Sequence, residues 1–301
     1  MPNNMKILIA YDGSRDADAA LLDLQRAGLP RHVTAHVLSV QAEWLPAPAS
    51  YGGVETGFTK YVQQGEQEAL ALARQARATV KATFPEWEVH AEAATGSPGR
   101  LIAQRAQELD VDLIVVGAQG HSTLGRIFLG SVSQKVLHTA HRSVRIARGR
   151  LEEPKTTIRL LVGIDGSPGS AAAIKAIVQR HWPAHCEARI VNGFPILPSL
   201  GNEMTAATWA EWIAEEKARI DAVIEKASGS LRGVGLTVSV NKSEEDARQL
   251  LLNEAERWGA DCIFVGAQGL GAFERLLLGS VSSFVATHAH CSVEIVQESK
   301  E

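Results

Sequence analysis

The 301-residue chain is written twice. KILIAYDGSRDADAALLDL (6–24) aligns with RLLVGIDGSPGSAAAIKAI (159–177), which sets Asp12 opposite Asp165. VDLIVVGAQG (111–120) aligns with ADCIFVGAQG (260–269), which sets Gly117 opposite Gly266. The two offsets, 153 and 149, differ by four residues, so one small length change lies between the anchors. From 111 to 147, about half the positions are identical to 260–296. A period of about 150 residues is too long for a solenoid repeat and suits a tandem pair of domains. The charged stretch RGRLEEPKTT (148–157) carries a Pro and reads as the junction. The expected organisation is therefore a domain over 1–148, a linker over 149–157 and a second domain over 158–301.

Within each half, short apolar runs alternate with helical patterns. In the first half ILIA (7–10), VTAHVLSV (33–40), WEVHAEAA (87–94), DLIVVG (112–117) and SVRIA (143–147) read as strands. Helices are expected after Asp12-Gly-Ser, over 60–84, over 97–109 and over 131–140, with a Pro- and Gly-rich loop at 43–58. The second half repeats the scheme through ARIVNG, TWAEWIAEEKARIDAVIEKA, LTVSV and SVEIV. Apolar strands separated by helices imply an α/β fold: two tandem open parallel-sheet sandwiches of Rossmann-like type. In such sheets ligands lie outside the carboxyl ends of the strands, where strand order reverses.

Composition excludes several classes. A net charge of −4 provides no basic footprint for nucleic acid or an anionic membrane. No apolar run approaches the length of a transmembrane helix. The start, MPNNMKILIAYDGS, lacks the apolar core and cleavage site of a secretory leader. Three cysteines (Cys186, Cys262 and Cys291) are an odd number without metal-type spacing, as expected in a reducing cytoplasm.

The chemistry concentrates in a frame present in both halves, G-x2-G-x9-G-S. It comprises Gly117, Gly120, Gly130 and Ser131, and again Gly266, Gly269, Gly279 and Ser280. The segment 121–125 has diverged (HSTLG against LGAFE) while the frame has not, which favours a ligand over inheritance alone. Glycine permits positive-φ turns and lets a ligand approach the main chain. Val132, Val136 and Ala140 share one helical face, so Ser131 is expected as an N-cap with Gln134 completing a capping box. A helix start with unpaired N–H groups is a phosphate cradle.

The frame resembles that of the universal stress protein family in its tandem two-domain form, and the resemblance covers nearly the whole chain. It implies a stress-response module that binds ATP, or AMP or ADP, with or without Mg2+. It also implies ribose or adenine contact at Asp12 and Asp165, and main-chain contact at Val40 and Gly193. Ala10 and Gly163 would line the base pocket, and Val116 and Val265 would pack on ribose or base. Val132, Ser133, Val281 and Ser282 would supply further phosphate donors. Gln119 and Gln268 occupy positions where family members often carry His or Arg, which implies weaker phosphate affinity. The family further suggests an intramolecular pseudo-dimer through the final strands, with a homodimer and an unidentified protein partner as additions.

Other residues admit a plainer reading beside a functional one. Asp12 either contacts a ribose hydroxyl or caps the next turn. Arg126 and Arg275 reach a terminal phosphate or form a salt bridge. Glu244, Glu245 and Asp246 form a solvated helix start, capped by Ser243 with Asp246, or demand a divalent cation. His138, His141, His288 and His290 show no zinc spacing, and Trp209 with Trp212 suggests a packing face. No Walker Lys or paired Mg2+ carboxylates of the Walker type are present, so the chain reads as no enzyme, with slow ATP hydrolysis or phosphotransfer and a nucleotide-free docking scaffold as alternatives.

Overall fold

The structure is a computed structural model that describes residues 4–42, 55–120, 129–148, 157–193, 206–269 and 278–298, with the helical path alone for 55–62 and 206–210. The chain divides into two units, Met1–Glu153 and Pro154–Glu301.

The first unit runs β1 (Met5–Ala10), α1 (Arg15–Asp23), β2 (Val33–Ala42), α2 (Glu55–Thr83), β3 (Glu88–Gly96), α3 (Pro98–Glu108), β4 (Leu113–Gly117), α4 (Ser131–Thr139) and β5 (Ser143–Ala147). Its strands lie in the order β3-β2-β1-β4-β5, and every pair is parallel. The second unit runs β6 (Arg159–Gly163), α5 (Pro168–Val178), β7 (Glu187–Gly193), α6 (Ala206–Gly233), β8 (Thr237–Ser243), α7 (Ala247–Trp258), β9 (Cys262–Gly266), α8 (Ser280–His288) and β10 (Ser292–Val296). Its order is β8-β7-β6-β9-β10, again parallel throughout. In each unit the chain winds outward on one side of the first strand and then returns to the other. That reversal leaves a crevice at the carboxyl ends of β1 and β4, and of β6 and β9. The expected α/β class is thus observed. The long helix begins at 55, inside the stretch expected as loop.

Apolar strands are buried because helices cover both faces. Ile7, Ile9, Val37, Val115 and Trp87 form a core with α1 and α2 in the first unit. Leu160, Val162, Ile190, Ile224 and Phe264 do so in the second. Each core also contains a buried ion pair. Arg145 of β5 donates from Nε to Asp23 at 2.6 Å, with both side chains 2% exposed or less. In the second unit the charges exchange places: Glu294 of β10, the counterpart of Arg145, accepts from Arg180 just after α5 at 2.8 Å. The three cysteines form no disulfide, and Cys186 and Cys262 are buried. Among the described residues, no helix is long and apolar enough to cross a membrane.

A desolvated guanidinium that loses its carboxylate costs more than the pair was worth. Asp23→Ala is therefore expected to lower stability by about 3 kcal/mol in urea unfolding, and adding Arg145→Met should restore much of that loss.

Candidate functional site

The strand-one carboxylate sits in a fixed turn. Gly13 and Gly166 follow Asp12 and Asp165 with φ of 76° and 79°, the left-handed conformation that favours glycine. Asp12 Oδ1 accepts from Ser14 N at 3.0 Å, and Asp165 Oδ1 accepts from Ser167 N at 2.9 Å. Ser14 and Ser167 then cap α1 and α5, their hydroxyls accepting from Ala17 N and Ser170 N at 3.2 and 3.1 Å. Neighbouring strands hold the turns in place. Ser39 Oγ donates to Tyr11 O at 2.6 Å, and its counterpart Asn192 Nδ2 donates to Ile164 O at 2.7 Å. Burial, and then its hydrogen bond to Asp18, push the Tyr11 phenol well above its ordinary pKa, so it remains a donor. The capping role weighed for Asp12 is therefore real, and it uses one oxygen. The other, Oδ2, faces Gly120: a β-carbon there would lie 2.8 Å away. The same pairing recurs at 2.6 Å between Gly269 and Asp165 Oδ2.

The remaining frame glycines answer to the protein's own main chain. A β-carbon at Gly117 would lie 2.8 Å from the carbonyl of Asp16, at the start of α1. At Gly266 it would collide with the main chain of Gly169 in α5, and at Gly169 with the carbonyl of Gln268. Gly130 N donates to Ala118 O at 2.8 Å and Gly279 N to Ala267 O at 2.7 Å, folding the loop onto itself. None of the six frame glycines has positive φ, so the expected left-handed turns are not their purpose. Close backbone packing thus accounts for Gly117 and Gly266 without a ligand, and a β-carbon at Gly130 or Gly279 would lie 3.3 Å from the carbonyl of Ala118 or Ala267.

The helix start also differs from expectation. Gly130 is the N-cap, with extended dihedrals and no side-chain bond, and Ser131 is the first helical residue. Gly279 and Ser280 repeat this. The capping box of Ser131 and Gln134 does not form, because the cap position is taken by a glycine, which has no side-chain oxygen to offer the amides that follow. The first intrahelical bond is Gln134 N to Gly130 O at 2.9 Å, so the N–H groups of Ser131, Val132 and Ser133 have no partner within the helix. Ser133 itself turns inward, its hydroxyl donating to Gly117 O at 2.6 Å. The Ser282 hydroxyl likewise lies 2.9 Å from Ala267 O. These hydroxyls lock the loop and are not phosphate donors; what remains at those positions is main-chain N–H. The hydroxyls of Ser131 and Ser280 are exposed.

The other expected residues separate into those at the crevice and those behind it. Ala10, Gly163 and Val40 lie half-buried at the carboxyl ends of their strands, and Gln119, Gly120, Gln268 and Gly269 follow β4 and β9. Gln119 N is already engaged with Asp16 Oδ2 at 3.0 Å. Val116 and Val265 are core residues, 2% and 4% exposed, so their side chains offer almost no surface to a sugar or base. Val132 and Val281 are half-buried on the first turns of α4 and α8. At Gly193 the main chain of Glu245–Ala247 presses in, a β-carbon there lying 2.8 Å from Ala247 Cα. Arg126 and Arg275 lie outside the described residues.

The acidic stretch behaves as a solvated helix start. Glu244 pairs with Lys217 at 3.2 Å, and Asp246 is the cap of α7, accepting from Arg248 N at 2.9 Å. The expected box led by Ser243 is replaced, since Ser243 ends β8 and accepts from Glu245 N at 3.3 Å. Hydrogen bonds from Arg248 hold the Asp246 carboxyl below the usual carboxylate range. Trp212 is exposed rather than packed in a core. Among the described residues, no group of three His, Cys, Asp or Glu could hold a metal ion. Asp16, Ser39, Asn192 and the α6 residue Arg219, which lies against Gly166, were not singled out by sequence. Only Ser39 and Asn192 carried a signal, being polar residues inside otherwise apolar strands.

Comparison with known proteins agrees with this fold. The model of the universal stress protein family matches residues 3–148 and 158–297. A universal stress protein of Mycolicibacterium smegmatis is 28% identical over 97% of this chain and 96% of its own length. The Synechocystis universal stress protein Sll1388 is 31% identical over 48% of this chain and 97% of its own. A universal stress protein structure from Archaeoglobus fulgidus shares the fold with a TM-score of 0.66 and 22% identity, covering 98% of both chains.

If the frame glycines serve backbone packing, Gly266→Ala is expected to destabilise the second unit by about 1–3 kcal/mol in denaturant unfolding without nucleotide. An unchanged midpoint would mean that this glycine is kept for something other than packing.

Proposed function

This chain belongs to the universal stress protein family, and on that premise we propose that it binds an adenine nucleotide, ATP foremost with AMP or ADP as close substitutes, at the crevice of each unit. The observation that carries this reading is the meeting of Asp12 Oδ2 and Gly120 at the carboxyl ends of β1 and β4, in a loop that leads into the three unpaired amides opening α4. Asp12 accepts the ribose hydroxyls, as an acidic residue does in dinucleotide folds. Gly120, lacking a side chain, leaves the approach to that carboxylate open. The N–H groups of Ser131, Val132 and Ser133 receive phosphate oxygens, aided by the positive end of the helix. The main chain near Ala10 and Val40 flanks the base. In the second unit Asp165, Gly269 and residues 280–282 repeat the arrangement.

The role that follows is regulatory. The described residues include no Walker Lys and no cluster of metal-holding carboxylates, so the reading is of a binding module in the cytoplasm rather than an enzyme. Bound nucleotide alters the surface around the two loops, and with it the docking of a partner in the stress response.

A carboxylate added at the second frame glycine would stand against Asp12 or Asp165 and repel phosphate. Gly120→Asp combined with Gly269→Asp is expected to weaken ATP binding by at least about 100-fold in isothermal titration, while circular dichroism stays native. Wild-type affinity in a folded double variant would contradict the loop assignment.

A further inference from the structure

The two units differ in what covers the Asp-Gly-Ser turn. In the first unit α2 lays Leu72 on it: a β-carbon at Gly13 would lie 3.0 Å from Leu72 Cδ2. In the second unit α6 lays Arg219 there, and a β-carbon at Gly166 would lie 2.7 Å from its Nη1. Glu216 accepts from Nε at 2.8 Å and from Nη2, which leaves Nη1 as the nitrogen on the turn side. Arg219 also feels the charge of the Asp165 carboxylate.

The contrast extends to a cleft beside the turn, at the carboxyl ends of β7 and β8 under α6. Lys217 and Lys242 line it, together with Asn192, Ile220 and the carboxylates Asp221 and Glu244. Asn192 is the side chain that braces Ile164, next to Asp165, and Ile220 touches Gly166, so cleft and turn are continuous. Lys217 stands two residues before Arg219 in the sequence, and Leu70 two before Leu72. Opposite Ser39, where β8 sets Lys242 against Asn192, β3 sets Ala93. The second unit thus carries Arg219, Lys217 and Lys242 with their partners Glu216, Glu244 and Asp221 at this place, whereas Leu72 lies on the turn of the first unit and Ala93 stands opposite Ser39.

We propose that the second unit selects adenine nucleotides whose ribose carries a phosphate ester on the 2′ or 3′ hydroxyl, with Arg219 as the specificity-determining residue. This rests on the nucleotide reading above, in which Asp165 meets the ribose hydroxyls. A carboxylate repels a phosphate on those hydroxyls, whereas an arginine beside it offsets the repulsion and donates to the phosphate from Nη1. The cations of the cleft are held only by exposed carboxylates, Lys217 by Glu244 and Lys242 by Asp221. Exposed pairs of this kind contribute little and exchange readily for a doubly charged phosphate. In the first unit Leu72 takes the place on the turn that Arg219 takes in the second, and that unit accepts an unmodified ribose.

The test uses the full-length protein with one unit silenced at a time, and AMP and the adenosine 2′,5′- and 3′,5′-bisphosphates as calorimetric probes. With the first unit silenced by Gly120→Asp, at least one bisphosphate should bind about ten-fold more tightly than AMP, and Arg219→Leu should erase that preference. With the second silenced by Gly269→Asp, AMP should be preferred, and Leu72→Arg should shift the ratio toward a bisphosphate. Equal ratios before and after Arg219→Leu, with the probes still bound, would overturn this inference alone. Failure of wild-type protein to bind any of the three probes or ATP would overturn the nucleotide reading and this inference with it.

Discussion

At the end of β4, and again at the end of β9, two stretches of main chain meet with no side chain between them. Gly117 admits the start of α1, and Gly266 admits Gly169 of α5. Everything at the crevice is placed by that contact. It fixes the distance between the Asp-Gly-Ser turn and the glycine loop, so that the Asp carboxylate comes to stand against the second glycine of the frame. It also positions the inward hydroxyls of Ser133 and Ser282, which tie the opening turns of α4 and α8 to the strand ends. The Gly-Ser pair at the close of the frame thereby presents bare amides rather than a capped helix.

Because the same contact exists twice, the units can diverge around it by compensating exchanges. The buried pair keeps its place with its polarity reversed, Arg145 with Asp23 in one unit and Glu294 with Arg180 in the other. Gly99 of α3 lies so close to α4 that a β-carbon there would strike the Lys135 side chain. At the corresponding place in the second unit Arg248 lies over the ring of Phe284 at 5.7 Å. Asp16 holds the loop amide of Gln119, whereas its counterpart is Gly169, whose missing side chain lets α5 come closer. The scaffold is shared, and the charges around the crevice are not.

The duplication, the α/β class and the identity of most strands were legible because buried parallel strands are short, apolar and bounded by turns. The crevice at the strand ends was legible from the same logic, since strand order must reverse somewhere. What escaped was anything set by tertiary approach. A glycine chosen for positive φ and one chosen for close packing look alike in sequence, and here the frame is of the second kind. Ser131 looked like a cap because serine caps helices often; one residue earlier, a glycine with extended dihedrals took that position. That the Ser133 hydroxyl bonds to Gly117 O, which leaves only its main-chain N–H for a ligand, was not legible either. Gly193 looked harmless, yet the start of α7 leans on it. Arg219 lay unnoticed in a long amphipathic helix because nothing local says which turn it will touch.

The central claim is that main-chain N–H groups opening α4, with the carboxylate of Asp12 opposite Gly120, form the nucleotide seat of the first unit. Amide chemical shifts recorded while ATP is titrated into isotope-labelled protein test it directly. The largest changes should fall on Gly120, Ser131, Val132 and Ser133, saturating together. Amides at these four positions that stay still while others move, or no movement at millimolar ATP, would contradict it.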